Sequence, residues 1–306
     1  MRYGRIFQVA LASGWIALAA SASGAAPESR SVSNIALILD GGFVGYVEAC
    51  QVATADTGFL VNKKGLSKEI ASLHATEITV QVGAAMGKPL YDWIKASWDR
   101  VETGGRKDGA IIYADFNRKE LSRLEFQGAV LAEVDMPALD AASTTAGTMT
   151  LKIRPETSSR SFANAGTPVG ERKQKAWLCS NFRLEISGLR FSEPALGGAQ
   201  PPMLNPALDP PAAQYASVIF NPKEYSLFAE WQQALYCSGA PQESNERACT
   251  FTYLDPDGAT LFTSSFVSTG LFKLTPNTDA TGAVVSYTAQ LYVTGGGSFD
   301  ASPPTP

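Results

Sequence analysis

Histidine is nearly absent: His74 is the only one in 306 residues. A histidine-based triad therefore has a single candidate, and no nucleophile motif stands beside it, so His74 reads as an ordinary surface or loop residue. Cysteine is scarce too. Cys50, Cys179, Cys237 and Cys249 include no CxxC pair, which with one histidine argues against a zinc site. Charged residues make up only 18% of the chain and the net charge is −4, so nothing draws it generally to nucleic acid. Gly104-Gly105 lacks the Gly-Lys-Ser/Thr that holds phosphate and metal. Asp255 and Asp257 resemble a fragment of a calcium loop, but the bidentate glutamate is missing. Asp115 and Asp255 read as turn residues at strand ends. The expectation is a non-enzymatic chain with no catalytic residue, no cofactor and no metal.

Long apolar runs are also missing beyond the N-terminus. Arg2 and Arg5 precede an apolar stretch from Ile6 to Ala20, and Ala20-Ser-Ala22 is a small-residue cleavage site. This pattern reads as a secretory signal peptide, assigned to residues 1–25 and too short for a comfortable membrane span. The mature chain is expected in the periplasm or outside the cell, with no stable membrane insertion. The cysteines suit that compartment as disulfide candidates. Cys237 and Cys249 flank a polar loop whose closure would stabilise by roughly 3 kcal/mol in the chain-entropy picture. Cys50 and Cys179 would then pair by elimination, although four cysteines allow three connectivities.

What the sequence does contain is repetition. Tyr113, Asp115, Leu121, Phe126, Leu131, Val134, Leu151 and Ile153 recur as Tyr253, Asp255, Leu261, Phe266, Leu271, Leu274, Leu291 and Val293, each 140 residues later. Trp93 and Trp231 match at 138, and Asn34, Leu37 and Gly41 match Asn181, Leu184 and Gly188 at 147. Such self-similarity marks an internal duplication. In each copy a short helix precedes the strands. Leu90, Trp93, Ile94 and Trp98 share one face at helical spacing, as do Leu227, Phe228, Trp231 and Leu235 in the second copy. Both faces read as packing surfaces.

Around the helices the pattern is β. Asn34–Gly42 and Ser180–Gly188 each read as a strand ending in a turn, with Asp40-Gly41 the turn signal of the first, and Phe43–Ala53 is a second strand candidate. Ile78, Val80 and Val82 alternate strictly along Thr76–Gly83. Gly109–Asp115 and Thr250–Asp255 each pair as a hairpin with the following run, and Gly147–Ile153 and Val284–Thr294 close the halves. Gly58–Ser72 reads as a polar loop or hairpin arm. Pro194–Ala213 reads as an irregular loop, followed by a strand at Tyr215–Phe220. Arg154–Lys175 reads as a linker, and Gly295–Pro306 as a disordered tail. The division is 33–155 for the first domain, 156–178 for the linker, 179–299 for the second domain and 300–306 for the tail.

Lys88-Pro-Leu-Tyr-Asp-Trp-Ile-Lys, Asp108-Gly-Ala-Ile-Ile-Tyr-Ala-Asp115, Leu124-Glu-Phe-Gln-Gly-Ala-Val-Leu131 and Thr148-Met-Thr-Leu-Lys-Ile153 together resemble the T4-like phage tail tube protein family. That family is related to the tube proteins of type VI secretion and other contractile injection systems. The resemblance covers Asn34 to Arg154, with the second half a diverged copy. It implies a mainly β fold with α: two tandem antiparallel β-barrel or sandwich domains, each with one flanking helix. It also implies a structural role in which six copies form a ring and rings stack into a tube. A duplicated chain would fill two ring positions, so that three chains make a pseudo-sixfold ring. The chain departs from the family in its signal peptide and in Pro194–Ala213, which replaces the alternating hairpin region that would line the lumen or stack rings. The other reading is a secreted monomeric or dimeric binding or adhesion module on the same fold.

Overall fold

The structure, a computed structural model, describes residues 34–56, 59–61, 68–70, 73–99, 105–162, 169–170, 177–191, 196–203, 214–239, 241–294 and 296–301. The signal-peptide assignment and residues 302–306 of the tail lie outside that set.

Eleven strands and one helix come first in the chain: β1 (Asn34–Leu39), β2 (Gly42–Val47), β3 (Ala49–Asp56), β4 (Phe59–Val61), β5 (Lys68–Ile70), β6 (Leu73–Val82), α1 (Lys88–Trp98), β7 (Arg106–Ala114), β8 (Glu120–Asp135), β9 (Leu139–Asp140), β10 (Met149–Arg154) and β11 (Thr157–Phe162). The later elements are β12 (Phe182–Ile186), β13 (Leu196–Gln200), β14 (Gln214–Phe220), α2 (Tyr225–Cys237), β15 (Arg247–Leu254), β16 (Thr260–Thr278), β17 (Val284–Val293) and β18 (Gly297–Ala301). The first large sheet runs β2-β1-β7-β8-β10-β6-β3, with β11 also on β8. The second runs β12-β15-β16-β17-β14-β13-β9, with β18 also on β16. β4 and β5 form a small hairpin, and every pairing between named strands is antiparallel. The fold is thus the mainly β, helix-flanked architecture expected. The first sheet curls until the backbone N–H of Ala75 on β6 reaches Ser158 Oγ on β11 at 2.6 Å, which nearly closes a barrel.

Alternation builds the core. Ile78, Val80 and Val82 of β6 and Met149, Leu151 and Ile153 of β10 are fully buried, because every second side chain of a strand faces the same way. Leu90, Trp93 and Ile94 of α1 are buried, with Trp98 half-buried; Phe228, Trp231 and Leu235 of α2 are buried, with Leu227 half-buried. Pro89 sits in the first turn of α1, where it disrupts no helical hydrogen bond. The buried residues of both sheets form one continuous hydrophobic cluster. Ala36, Ala110 and Ile112 form a small second cluster.

The duplication is visible in the hydrogen-bond register. Tyr113 lies opposite Ile35 and Ser122; Tyr253 lies opposite Phe182 and Phe262. These pairings reproduce both the 140-residue and the 147-residue offsets. The indole N–H of Trp93 donates to the Gly105 carbonyl at 2.8 Å, and that of Trp231 donates to the Asn245 carbonyl at 3.0 Å. The closing strands differ from the sequence alignment. Ile153 pairs with Leu131 as Leu291 pairs with Leu271, and Leu151 pairs with Val134 as Ala289 pairs with Leu274. Leu291 therefore corresponds to Ile153 rather than Leu151. The slip of two residues keeps every side chain on its face, which is why pattern matching tolerates it.

Three stretches expected to be irregular contain strands. Thr157–Phe162, inside the expected linker, pair with β8 as β11, and Trp177 further along is fully buried. Leu196–Gln200, inside the expected Pro/Gly loop, pair with β14 as β13. Gly297–Ala301, reaching into the expected tail, pair with β16 as β18. In each case a longer neighbouring strand presents a free edge whose backbone groups need partners, and that edge recruits a segment of weak intrinsic preference. Phe43–Ala53, read as one strand, is divided between β2 and β3.

Candidate functional site

The isolated acidic residues are engaged in turns. Asp115 Oδ1 accepts from the Lys119 backbone N–H at 2.8 Å. Asp255 Oδ1 accepts from the backbone N–H groups of Asp257 and Ala259 at 2.9 and 2.8 Å. His74 lies on β6 opposite Ala55. Among the described residues no three His, Cys, Asp or Glu side chains gather as a metal site.

The four cysteines are free thiols, so neither Cys237–Cys249 nor Cys50–Cys179 is bridged. Cys249 points inward from β15 and is 1% exposed, whereas Cys237 lies exposed at the end of α2. Burial pushes the Cys249 thiol up from 9.0 to about 12. Cys50 is half-buried, with the Tyr113 hydroxyl 3.7 Å from its sulfur, and burial raises its pKa. Cys179 is buried in the stretch leading to β12.

The organised polar and aromatic surface lies where the first half meets the second. α1 places one face against its own barrel and turns another toward β16 and β18. Lys95 Nζ reaches Asp300 Oδ1 at 2.6 Å and the Phe299 carbonyl at 3.2 Å. The Asp300 hydrogen bond is the main reason the Lys95 ammonium titrates above its ordinary range. The Trp98 ring packs on Phe266 and Phe299 at centroid separations of 5.5 and 6.0 Å. Tyr91 stacks on Phe262 and Phe299, both at 6.4 Å, and its hydroxyl donates to the Ala84 carbonyl. Burial pushes the Tyr91 phenol up. Gly297 is required for this approach: a Cβ there would lie 2.6 Å from Trp98 Nε1.

A second contact runs in the same direction. β9, in the connection between β8 and β10, adds to the edge of β13, with Ala199 opposite Leu139 and Gly198 opposite Asp140. Leu139 is buried there. The first half thus contributes a helix face and a strand, and the second half receives both. Chemically the arrangement joins surfaces; it gathers no reactive groups.

Sequence reading missed this joint. Lys95 and Asp300 are separated by 205 residues, and no local pattern links them. A retrospective signal is the apolar width of α1: Tyr91 is large and buried yet lies off the Leu90/Trp93/Ile94/Trp98 face.

Residues 66–158 match the family model described as T4-like virus tail tube protein gp19. Among solved structures, Hcp1 from Flavobacterium johnsoniae aligns at 17% identity over 44% of this chain and 99% of its own, with a TM-score of 0.30. The PVC sheath/tube terminator of an extracellular contractile injection system aligns at 17% identity over 42% of this chain and 94% of its own, with a TM-score of 0.32. The tube-terminating cap of the anti-feeding prophage aligns at 10% identity over 62% of this chain and 91% of its own, with a TM-score of 0.25. No curated protein matches the chain. The family match falls on the segment whose residues carry the resemblance, and the chain is tail-tube-like there.

Proposed function

We propose that this tail-tube-like chain is a non-enzymatic structural subunit that associates with itself into rings or tubes outside the cytoplasm. Residues 33–155 and 179–299 act as two tube-type copies, and residues 1–25 direct export. Three chains give a pseudo-sixfold ring.

One observation carries the reading: the joint between the halves is head-to-tail. A helix face and a strand pass from the first half to the second, whereas among the described residues α2 packs mainly on elements of its own half. A contact that joins two unlike surfaces can repeat from chain to chain and closes into a ring when the rotation allows. The family match over residues 66–158 supports the structural class. The open edge of β3, which among the described residues pairs only with β6, supports association, because unpaired strand edges are templates for a further chain.

The test is native mass spectrometry and negative-stain microscopy of the secreted chain. The expected result is a species of three chains, seen as a ring with apparent sixfold outline, alone or stacked. A monomer at every concentration would overturn the ring and return the fold to the role of a binding module.

A further inference from the structure

Resting on the ring reading, we infer that the exposed face of α2 carrying Gln233 and Tyr236 docks on the β8–β11 edge of a second copy at Arg160, Ser161 and Phe162. The partner is identified by the chain itself, because the joint already formed inside the molecule is a template for it.

The register defines the correspondence. The helices match at 138 residues, as Trp93 and Trp231 do, so Tyr91, Lys95 and Trp98 of α1 become Ala229, Gln233 and Tyr236 of α2. β16 and β8 match at 140. Phe262, Thr263 and Ser264 pair with Ala301, Asp300 and Phe299 of β18; Ser122, Arg123 and Leu124 pair with Phe162, Ser161 and Arg160 of β11. In the first half of the chain the helix face is covered by β16 and β18. Its counterpart on α2 is open: Tyr236 is 51% exposed and Gln233 is exposed. The receiving edge is open as well, with Phe162 78% exposed and Arg160 and Ser161 exposed.

The two open surfaces differ from the closed joint in a matched way. Inside the chain Lys95 meets Asp300, a charged pair. Between copies Gln233 would meet Ser161, a neutral donor and acceptor. A change on one side alone would leave a charge facing a neutral group across a closed contact, whereas here both sides are neutral. The cross-strand pair beneath the helix also keeps its content: Phe262 with Ala301 becomes Ser122 with Phe162, one large ring and one small side chain each time. Trp98 over Phe299 becomes Tyr236 over Arg160, a cation–π arrangement. Arg160 already lies over the Tyr113 ring, 5.4 Å from its centroid. One helix face and one strand end, unlike each other and both exposed, are the two ends of a heterologous interface.

The experiment compares assembly of the full chain with Tyr236→Glu, Phe162→Glu and the double variant Gln233→Lys/Ser161→Asp. Each glutamate variant should raise the concentration for half-assembly by about tenfold or more, since each places a charge in the contact. Circular dichroism and the melting temperature of the unassembled chain should stay at wild-type values. The double variant installs between chains the pair that Lys95 and Asp300 make within one. It should assemble at wild-type concentration, and its assembly should weaken with added salt more steeply than that of the wild type. If the wild type assembles and both glutamate variants assemble at the same concentration, these surfaces are wrong and the ring reading stands. If the wild type never assembles, both fall together.

Discussion

At the scale of single residues, two tryptophans define the helices' seats. Trp93 and Trp231 are both buried, and each indole N–H satisfies a backbone carbonyl in the loop ahead of β7 or β15. Trp93→Phe and Trp231→Phe keep most of the ring but strand that carbonyl, so each should cost about 1 kcal/mol. Urea denaturation should give similar values for the two. Cysteine reactivity is the other test at this scale. Cys237 is exposed and should be labelled by a maleimide in the folded chain, while Cys249 should react only on unfolding. The pH dependence follows from the raised thiol. Cys249 stays protonated in the fold up to about 12, against 9.0 ordinarily. The unfolded thiol loses its proton first, so this contribution to stability is complete below pH 9.0 and is lost as pH rises toward 12. Cys249→Ala should flatten that alkaline decline in a denaturation series.

At the scale of elements, the duplicated turns make a controlled comparison. Arg118 and Gly258 occupy the same place after Asp115 and Asp255, and both lie in the left-handed region, at φ 63° and 82°. Their backbone N–H groups donate to the Asp115 and Asp255 carbonyls at 2.9 and 3.0 Å. An L-residue is strained there by roughly 1–2 kcal/mol, and glycine recovers part of that after its own entropy cost. Arg118→Gly should therefore raise the urea midpoint, by about 0.5 kcal/mol in stability. The same scale explains what the sequence could reveal. Ile78–Val80–Val82 and Leu90–Trp93–Ile94 announce a strand and a helix because one face of each must be buried whatever surrounds it. β11, β13 and β18 read Thr-Ser-Ser-Arg-Ser-Phe, Leu-Gly-Gly-Ala-Gln and Gly-Ser-Phe-Asp-Ala. None alternates convincingly, and each is a strand only because β8, β14 or β16 offers it an edge. The joint between the halves was hidden for the same reason. Lys95, Trp98, Phe299 and Asp300 acquire meaning from the fold that brings them together.

At the scale of the molecule, the question is whether two copies behave as two domains. Their strand orders correspond, yet the hydrophobic core runs without a break from Leu37 and Val80 to Phe251 and Leu291. Trp177, in the connection between the halves, packs edge-on against Tyr253 and Phe262 at 5.5 and 5.3 Å. Tyr91 and Trp98 pack on Phe262, Phe266 and Phe299. Removing either half would expose rings buried by the other, so neither half has a complete core. Unfolding should then be one transition, with tryptophan fluorescence and far-ultraviolet circular dichroism coincident in urea. Trp98→Ala sharpens the test because the ring contacts it removes, with Phe266 and Phe299, lie in the joint. Trp98 is half-buried, so its loss should cost about 2 kcal/mol, below the range for a fully buried ring. If the halves share one core, that loss lowers the midpoint of the single transition and leaves the slope unchanged. If they are independent bodies in loose contact, the variant instead separates the curve into two transitions. A single shifted transition would mean that α2 and β11 belong to one cooperative unit.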